Sequence, residues 1–303
     1  MKVLITGSTG LVGSSLVADL RDAGHTVCRL LRPSTAMAAS RSSTGFDVTW
    51  DPATGALGGA AVGAEAVVNL AGASIADGRW TPERKQLLRL SRVDFTHALV
   101  QALSKMAARP RVLVSASAIG YYGDRGAEVL NEQSAPGHDF LSELAGDWEA
   151  EAVKAEALGV RVVSARFGVV LARQGGALPK IVRPFQFGVG GKLGSGEQWM
   201  SWLALEDAVA ILRFVLENGT VRGPLNAVSP QPVRNADFTK CLAKVLHRPA
   251  LFPAPAFALR LALGEMGPAL LLSSQRVVPA YLDKLGYRYL HPELESTLRA
   301  AVS

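Results

Sequence analysis

Through the first 173 residues, short apolar and β-branched runs alternate with longer amphipathic stretches. The runs Lys2–Thr6, Thr26–Leu31, Val48–Trp50, Ala66–Leu70, Arg111–Ser115 and Arg161–Ala165 are apolar almost throughout. Strands buried on both faces of a parallel sheet read this way, whereas half-exposed strands alternate. Between the fourth and fifth runs, Thr81-Pro82-Glu83 supplies an N-cap, a proline at the first helical position and an early acid, which predicts a helix towards Met106. Asp139 caps a second predicted helix to about Leu158, with Phe140, Leu141, Leu144 and Trp148 on its inward face. Strand and helix in alternation predict right-handed βαβ units and a doubly wound α/β fold.

Beyond Arg173 the texture changes. Gly175 to Gly196 is glycine-rich and cationic, and Leu225 to Pro232 reads as one more strand and turn, so the sheet should receive a strand near 225–228. Asn235 is expected to cap a further helix. Pro249 to Pro255 reads as a linker into a small, mostly helical part. The expected division is a dinucleotide-binding domain over 1–173, with substrate-cleft segments and a helical extension over 174–303. The cleft should lie beyond the carboxyl ends of the strands.

Composition narrows the function. Apolar residues make up 49% and charged residues 19% of the 303-residue chain, as in a packed α/β enzyme. The net charge of +6 is scattered, without the basic clusters and aromatic platforms of a nucleic-acid binder, so no nucleic-acid partner is expected and an anionic small ligand fits better. Cys28 and Cys241 are far apart and the five histidines show no metal-ligand spacing, which predicts neither a disulfide nor a metal site. The opening MKVLITG is far shorter than a signal-peptide core, and Arg260 and Glu265 interrupt the most apolar later stretch, Phe257 to Leu272. A cytoplasmic protein without a membrane partner is expected, monomeric or homodimeric through its long helices.

The strongest motif is Gly7-Ser8-Thr9-Gly10-Leu11-Val12-Gly13, a GxxGxxG turn between the first strand and a helix. Glycines there let the backbone approach a pyrophosphate, free N–H groups of the helix start face the anion, and the last glycine admits close helix-to-strand packing. This is the phosphate turn of a Rossmann fold. An NAD enzyme would carry a carboxylate at the end of the second strand to bind the adenosine ribose hydroxyls. This chain reads Leu31-Arg32-Pro33, and Arg32 suits the 2′-phosphate of NADP(H) instead.

Further stretches carry a family resemblance: Asn69-Leu70-Ala71-Gly72, Ser115 to Gly123, Ser91-Arg92, Trp148-Glu149, Arg166 to Leu171, Gly188 to Gly196 and Trp199 to Asp207. With the glycine turn, they make the chain resemble the extended short-chain dehydrogenases/reductases, in the SDR39U1-like epimerase branch with a C-terminal extension. The resemblance covers nearly the whole chain. It implies NADP(H) contacts from Arg32, Asn69, Leu70, Arg92 and Val169 besides the glycine turn, and Ala71 and Gly72, in the same loop as Asn69, are further expected cofactor contacts. One departure is Ala204, where such sequences carry His before the acidic pair Glu206-Asp207.

Relatives of this kind use a Ser or Thr with a YxxxK pair, in which the ammonium one helical turn away lowers the phenol pKa for proton exchange. None of the five tyrosines here has Lys four residues on, and Phe140 and Leu144 take the two places on the helix. Ser117 is the favoured counterpart of the catalytic Ser, with Ser115 and Ala118 as alternative alignments. Tyr121 is the candidate proton donor, with Arg125 folding back beside it, while Tyr122 is expected to pack under the loop. Glu128 and Glu132 read as solvated loop charges. Leu193 after Gly191-Lys192 excludes a nucleotide-hydrolysing phosphate loop, and no GxSxG elbow occurs. The expected function is an NADP(H)-dependent oxidoreductase or epimerase for a small polar or anionic metabolite. The alternative is an NADP(H)-binding regulator or scaffold without turnover.

Overall fold

The structure is a computed structural model that describes residues 1–31, 47–52, 55, 57 and 59–302. Arg32 lies outside the described residues. A seven-stranded parallel sheet is built from β1 (Lys2–Thr6), β2 (Thr26–Leu31), β3 (Val48–Thr49), β4 (Ala66–Asn69), β5 (Val112–Ala118), β6 (Arg161–Phe167) and β7 (Gly223–Ala227). Its order is β7-β6-β5-β4-β1-β2-β3, with the switch point between β1 and β4. β7 is the strand expected near 225–228. β5 and β6 run further than the sequence suggests, because Ser117 pairs with Arg166 and Ala118 with Phe167 in register.

Helices cover both faces. α1 (Leu11–Asp22) leaves β1 directly, and Val3, Ile5, Val68, Val114 and Val163 of the sheet form a core with Leu16, Leu20, Ile211 and Leu212. Ile211 and Leu212 belong to the later helix spanning Leu205–Glu217. The opposite face packs Leu4, Val67, Leu113 and Val162 on Leu99, Leu103 and Ala152.

The helix predicted from Thr81 is present in three pieces: α2 (Pro82–Arg89), a π-helical turn at Leu90–Asp94, and α3 (Phe95–Ser104). Thr81 caps it by accepting from the Arg84 N–H. The turn is wound where Ser91 and Arg92 bond the backbone of Ala73, so a contact made by loop 70–77 displaces regular α-geometry. α4 (Phe140–Val153) is capped by Asp139, which accepts from Ser142 N at 2.9 Å.

Next along the chain come α5 (Leu178–Gln186), α6 (Leu205–Glu217) and α7 (Asn235–Leu246). The C-terminal part adds α8 (Ala256–Leu263), α9 (Ala280–Lys284) and α10 (Leu294–Val302). Asn235 is the first helical residue rather than the cap. Its amide oxygen instead accepts from Leu193 N at 2.8 Å and anchors the glycine-rich stretch 188–196. The Pro249–Pro255 segment is tied rather than free, since Ala254 and Phe252 donate to Lys192 and Gly190 carbonyls. Fully buried Asp207 accepts from the Leu290 and His291 N–H groups and docks the chain's end on α6.

Candidate active site

The three glycines of the first turn have different tasks. Gly7 lies at φ +65, and a Cβ there would stand 2.4 Å from the Leu70 carbonyl oxygen; a Cβ on Gly13 would stand 2.2 Å from the Gly7 oxygen. Both close approaches seat α1 against β1 and bring loop Leu70–Ala71 alongside the turn. Gly10 differs, since a Cβ there would meet only the Gly7 oxygen, at 3.3 Å. It is exposed and stands at the N-cap of α1 without a side-chain cap, so the helix-start N–H groups face outward, as at anion-binding helix termini. Beside it the buried Ser8 hydroxyl has no hydrogen-bond partner among the described residues. An open helix start, an orphaned hydroxyl and exposed Thr9 fit a pyrophosphate. Half-buried Leu11 and Val12 pack on the core behind them.

Asn69 has a structural task. It is fully buried, its oxygen accepts from Thr6 and its NH₂ donates to Thr96 and Ser115, so its side chain stitches β1, β4, β5 and α3 together. The side-chain hydrogen bonds of Asn69 are thus made within the fold. Thr96 also accepts from Trp148 Nε1, which adds α4 to the same knot.

Arg92 donates to the Ala73 carbonyl at 2.9 Å, stacks over Trp148 and lies close enough to Gly72 for a Cβ there to meet its guanidinium at 3.1 Å. Among the described residues it makes no ion pair. Burial, and then the charge of Arg84, lowers its pKa to about 10. This leaves a partly buried guanidinium without a carboxylate partner among the described residues, next to exposed Gly72 at the carboxyl edge of the sheet. Val169 is half-buried and opens a short strand, Val169–Leu171, that follows β6.

Ser117, near the end of β5, donates to Glu149 Oε1 at 2.5 Å. Arg166 grips the same carboxylate through Nε and Nη2, both at 2.7 Å. Its Nη1 donates to the Tyr122 hydroxyl at 2.9 Å, which in turn donates to Asn226 at 2.7 Å. Burial alone would lower the Arg166 pKa, but the hydrogen bonds and charge of Glu149 outweigh it and leave the guanidinium more firmly protonated. Burial pushes the Tyr122 phenol up to about 12, so this tyrosine is a fixed hydrogen-bonding post under its loop. Tyr121 lies with its ring over the Arg166 guanidinium, 3.5 Å from centroid to carbon.

Arg125 is elsewhere, bound through both Nε and Nη2 to Glu128, so Arg166 supplies the cation expected beside Tyr121 from Arg125. Neither Glu149 nor Arg166 was assigned a role from sequence. The available signal was an arginine inside a strand that is otherwise apolar, which demands a buried acid partner. Ser115, the alternative alignment, faces Asn69 instead of this network. Phe140 and Leu144 pack with Trp80, Leu88 and Met266, an apolar cluster roofed by the C-terminal part, and Ala204 is buried beside Leu171 without a polar group to offer. Next to Tyr121 and Glu149 a groove of about 590 Å³ opens between Gly137, Ser142 and Gly146.

Glu132 also departs from expectation. It is half-buried and accepts from the Asn226 and Tyr281 N–H groups rather than facing solvent. Burial raises its pKa despite those bonds. Its contribution to stability is therefore fully present below the ordinary carboxylate range, about 4.3, and is lost as pH rises through the raised folded value. Chemical denaturation of Glu132→Gln across pH 4 to 7 should show this rise on acidification flattened, because the amide oxygen still accepts both N–H groups; an unchanged profile would assign the effect to another group.

A doubly wound sheet with this phosphate turn at its first crossover, and a polar cluster at the end of β5, defines an extended short-chain dehydrogenase/reductase. Residues 3–227 match the NAD dependent epimerase/dehydratase family, to which the chain belongs, and 254–301 match DUF1731, a domain of unknown function. The epimerase family protein YfhF of Bacillus subtilis is 38% identical over 304 residues, covering 100% of this chain and 98% of the relative. An epimerase family protein of Mycobacterium bovis is 39% identical over 302 residues, covering 99% and 97%. The crystal structure of human epimerase family protein SDR39U1 with NADPH superposes with a TM-score of 0.87 at 32% identity, covering 100% of this chain and 99% of that one.

Proposed function

We propose that the chain is an NADP(H)-dependent oxidoreductase or epimerase of the cytoplasm, acting on a small polar or anionic metabolite with Ser117 as the group nearest the proton transfer. The open Gly10 turn with its orphaned Ser8 hydroxyl carries this reading. A bound dinucleotide supplies hydride chemistry. The open N–H groups of Leu11 to Gly13 would hold its pyrophosphate, and Arg92 offers a cation above Gly72. The NADPH in the human relative's structure supports the phosphorylated cofactor.

Ser117 donates its own proton to Glu149, so its oxygen lone pairs are the part left to accept from a substrate hydroxyl. Glu149, held at both oxygens by Arg166, can only accept, and this fixes the direction of the Ser117 bond. Tyr121 contributes its ring to Arg166 and lines the groove. Phe140 and Leu144, where relatives carry Tyr and Lys, favour a second reading, a dinucleotide-binding regulator without turnover.

NADPH oxidation against a panel of carbonyl compounds and sugar nucleotides separates the two. Cofactor choice is tested with Arg32→Ala, which should weaken NADPH by about 1.5–3 kcal/mol, as for a lost charge-assisted contact, and leave NADH nearly unchanged. Equal loss for both cofactors would remove the 2′-phosphate assignment.

A further inference from the structure

One end of the C-terminal part exposes an unusual amount of apolar surface. Phe187 is 71% exposed, Leu251 73%, Phe257 72% and Leu261 77%, with Val189 and Phe252 also more than half exposed. These side chains come from two segments joined by backbone pairing: Phe252 donates to the Gly190 oxygen, Ala254 to that of Lys192, and Gly194 to that of Ala254. α8 begins two residues after Ala254, and Phe257 and Leu261 are one helical turn apart on its outer side.

This end carries an excess of positive charge. Arg183, Lys192, Arg248 and Arg260 are exposed, and none makes an ion pair among the described residues. No Asp or Glu occurs from Val182 to Ser195 or from Leu246 to Gly264. The acids that flank these stretches are each paired with a cation, Glu265 with Lys85, Glu197 with Arg234 and Asp77 with Lys180, so they leave the four cations uncompensated among the described residues. An exposed apolar ridge alone does not say what covers it. A ridge fringed by unpaired cations selects an apolar surface that carries negative charge.

We propose that this end of the molecule docks on an anionic lipid bilayer, with Phe187, Phe252, Phe257 and Leu261 entering the headgroup boundary and Arg183, Lys192, Arg248 and Arg260 meeting lipid phosphates. Among the described residues no helix is long and apolar enough to cross a membrane, and none is needed. The expectation of no membrane partner concerns spanning segments, and a surface assembled from two separate stretches is a different kind of contact. Docking here leaves the sheet edge with Gly10 and Ser117 on other elements.

The test is sedimentation of the full chain with phosphatidylcholine vesicles, with and without phosphatidylglycerol. The protein should pellet with the anionic vesicles, remain soluble with the neutral ones, and be released by salt. Phe257→Ser/Leu261→Ser, which changes only exposed side chains, should weaken binding on the order of tenfold or more with circular dichroism unchanged. Lys192→Gln/Arg260→Gln should weaken it roughly 5-fold per charge. Failure to pellet with anionic vesicles overturns the proposal, as does wild-type pelleting of the Phe257/Leu261 variant. Ultracentrifugation provides the remaining arm: a dimer that the same variant dissociates would make this a face for a second copy, and the proposal fails.

Discussion

Gly10→Val should abolish binding of NADPH and NADH alike, by more than about 100-fold in Kd or roughly 2.7 kcal/mol, in a protein that still folds. The local geometry separates the two effects. A Cβ at Gly10 stands 3.3 Å from a single backbone oxygen, which a few tenths of an ångström relieve, and the residue is exposed at a helix N-cap with extended φ. The added side chain then projects over the outward N–H groups, where a pyrophosphate has to approach. Gly13→Val makes the contrasting case, because its Cβ would stand 2.2 Å from the Gly7 oxygen and lift α1 off β1. Calorimetry of Gly10→Val beside thermal unfolding of both variants checks this. Undiminished cofactor affinity in folded Gly10→Val would take the turn out of the site.

The second large effect is on turnover. Ser117→Ala should lower kcat by about 10²–10⁴, the usual worth of a positioned proton-transfer group, with NADPH affinity kept. Serine is the clean probe because Glu149 remains gripped at both oxygens by Arg166 when the hydroxyl is gone. Removing Glu149 instead strands a buried guanidinium, at a cost to stability of about 3–5 kcal/mol that would confuse the kinetics. Single-turnover measurements on the substrate identified by the panel read the effect. Wild-type kcat in Ser117→Ala would move the proton to another group, with the Tyr121 phenol next in line.

Strands β1 and β2, both helix starts at Thr81 and Asp139, and the phosphate turn were legible in the chain because each is determined locally, by a buried apolar run, a cap or a glycine spacing. The ends of β5 and β6 were not, since their extra residues are held by pairing with each other across some fifty positions of sequence. The π turn at Leu90–Asp94 escaped for a similar reason: an amphipathic helical pattern continues through it, and only loop 70–77 displaces it. Asn69 reads as a polar residue at a ligand edge, yet three partners from three other elements enclose it. Of the Glu149–Arg166 pair, the chain shows an arginine inside an apolar strand but not which acid meets it. Its meaning depends on Ser117 pairing with Arg166 in register and on α4 crossing above them, which are properties of the folded sheet.

The central claim, that the first turn and its neighbours hold a phosphorylated nicotinamide dinucleotide, is tested most directly by titrating the purified wild-type chain with NADPH and then with NADH in a calorimeter. One site per chain, with NADPH bound more tightly than NADH, is the predicted result; no heat of binding for either dinucleotide in folded protein would contradict the account.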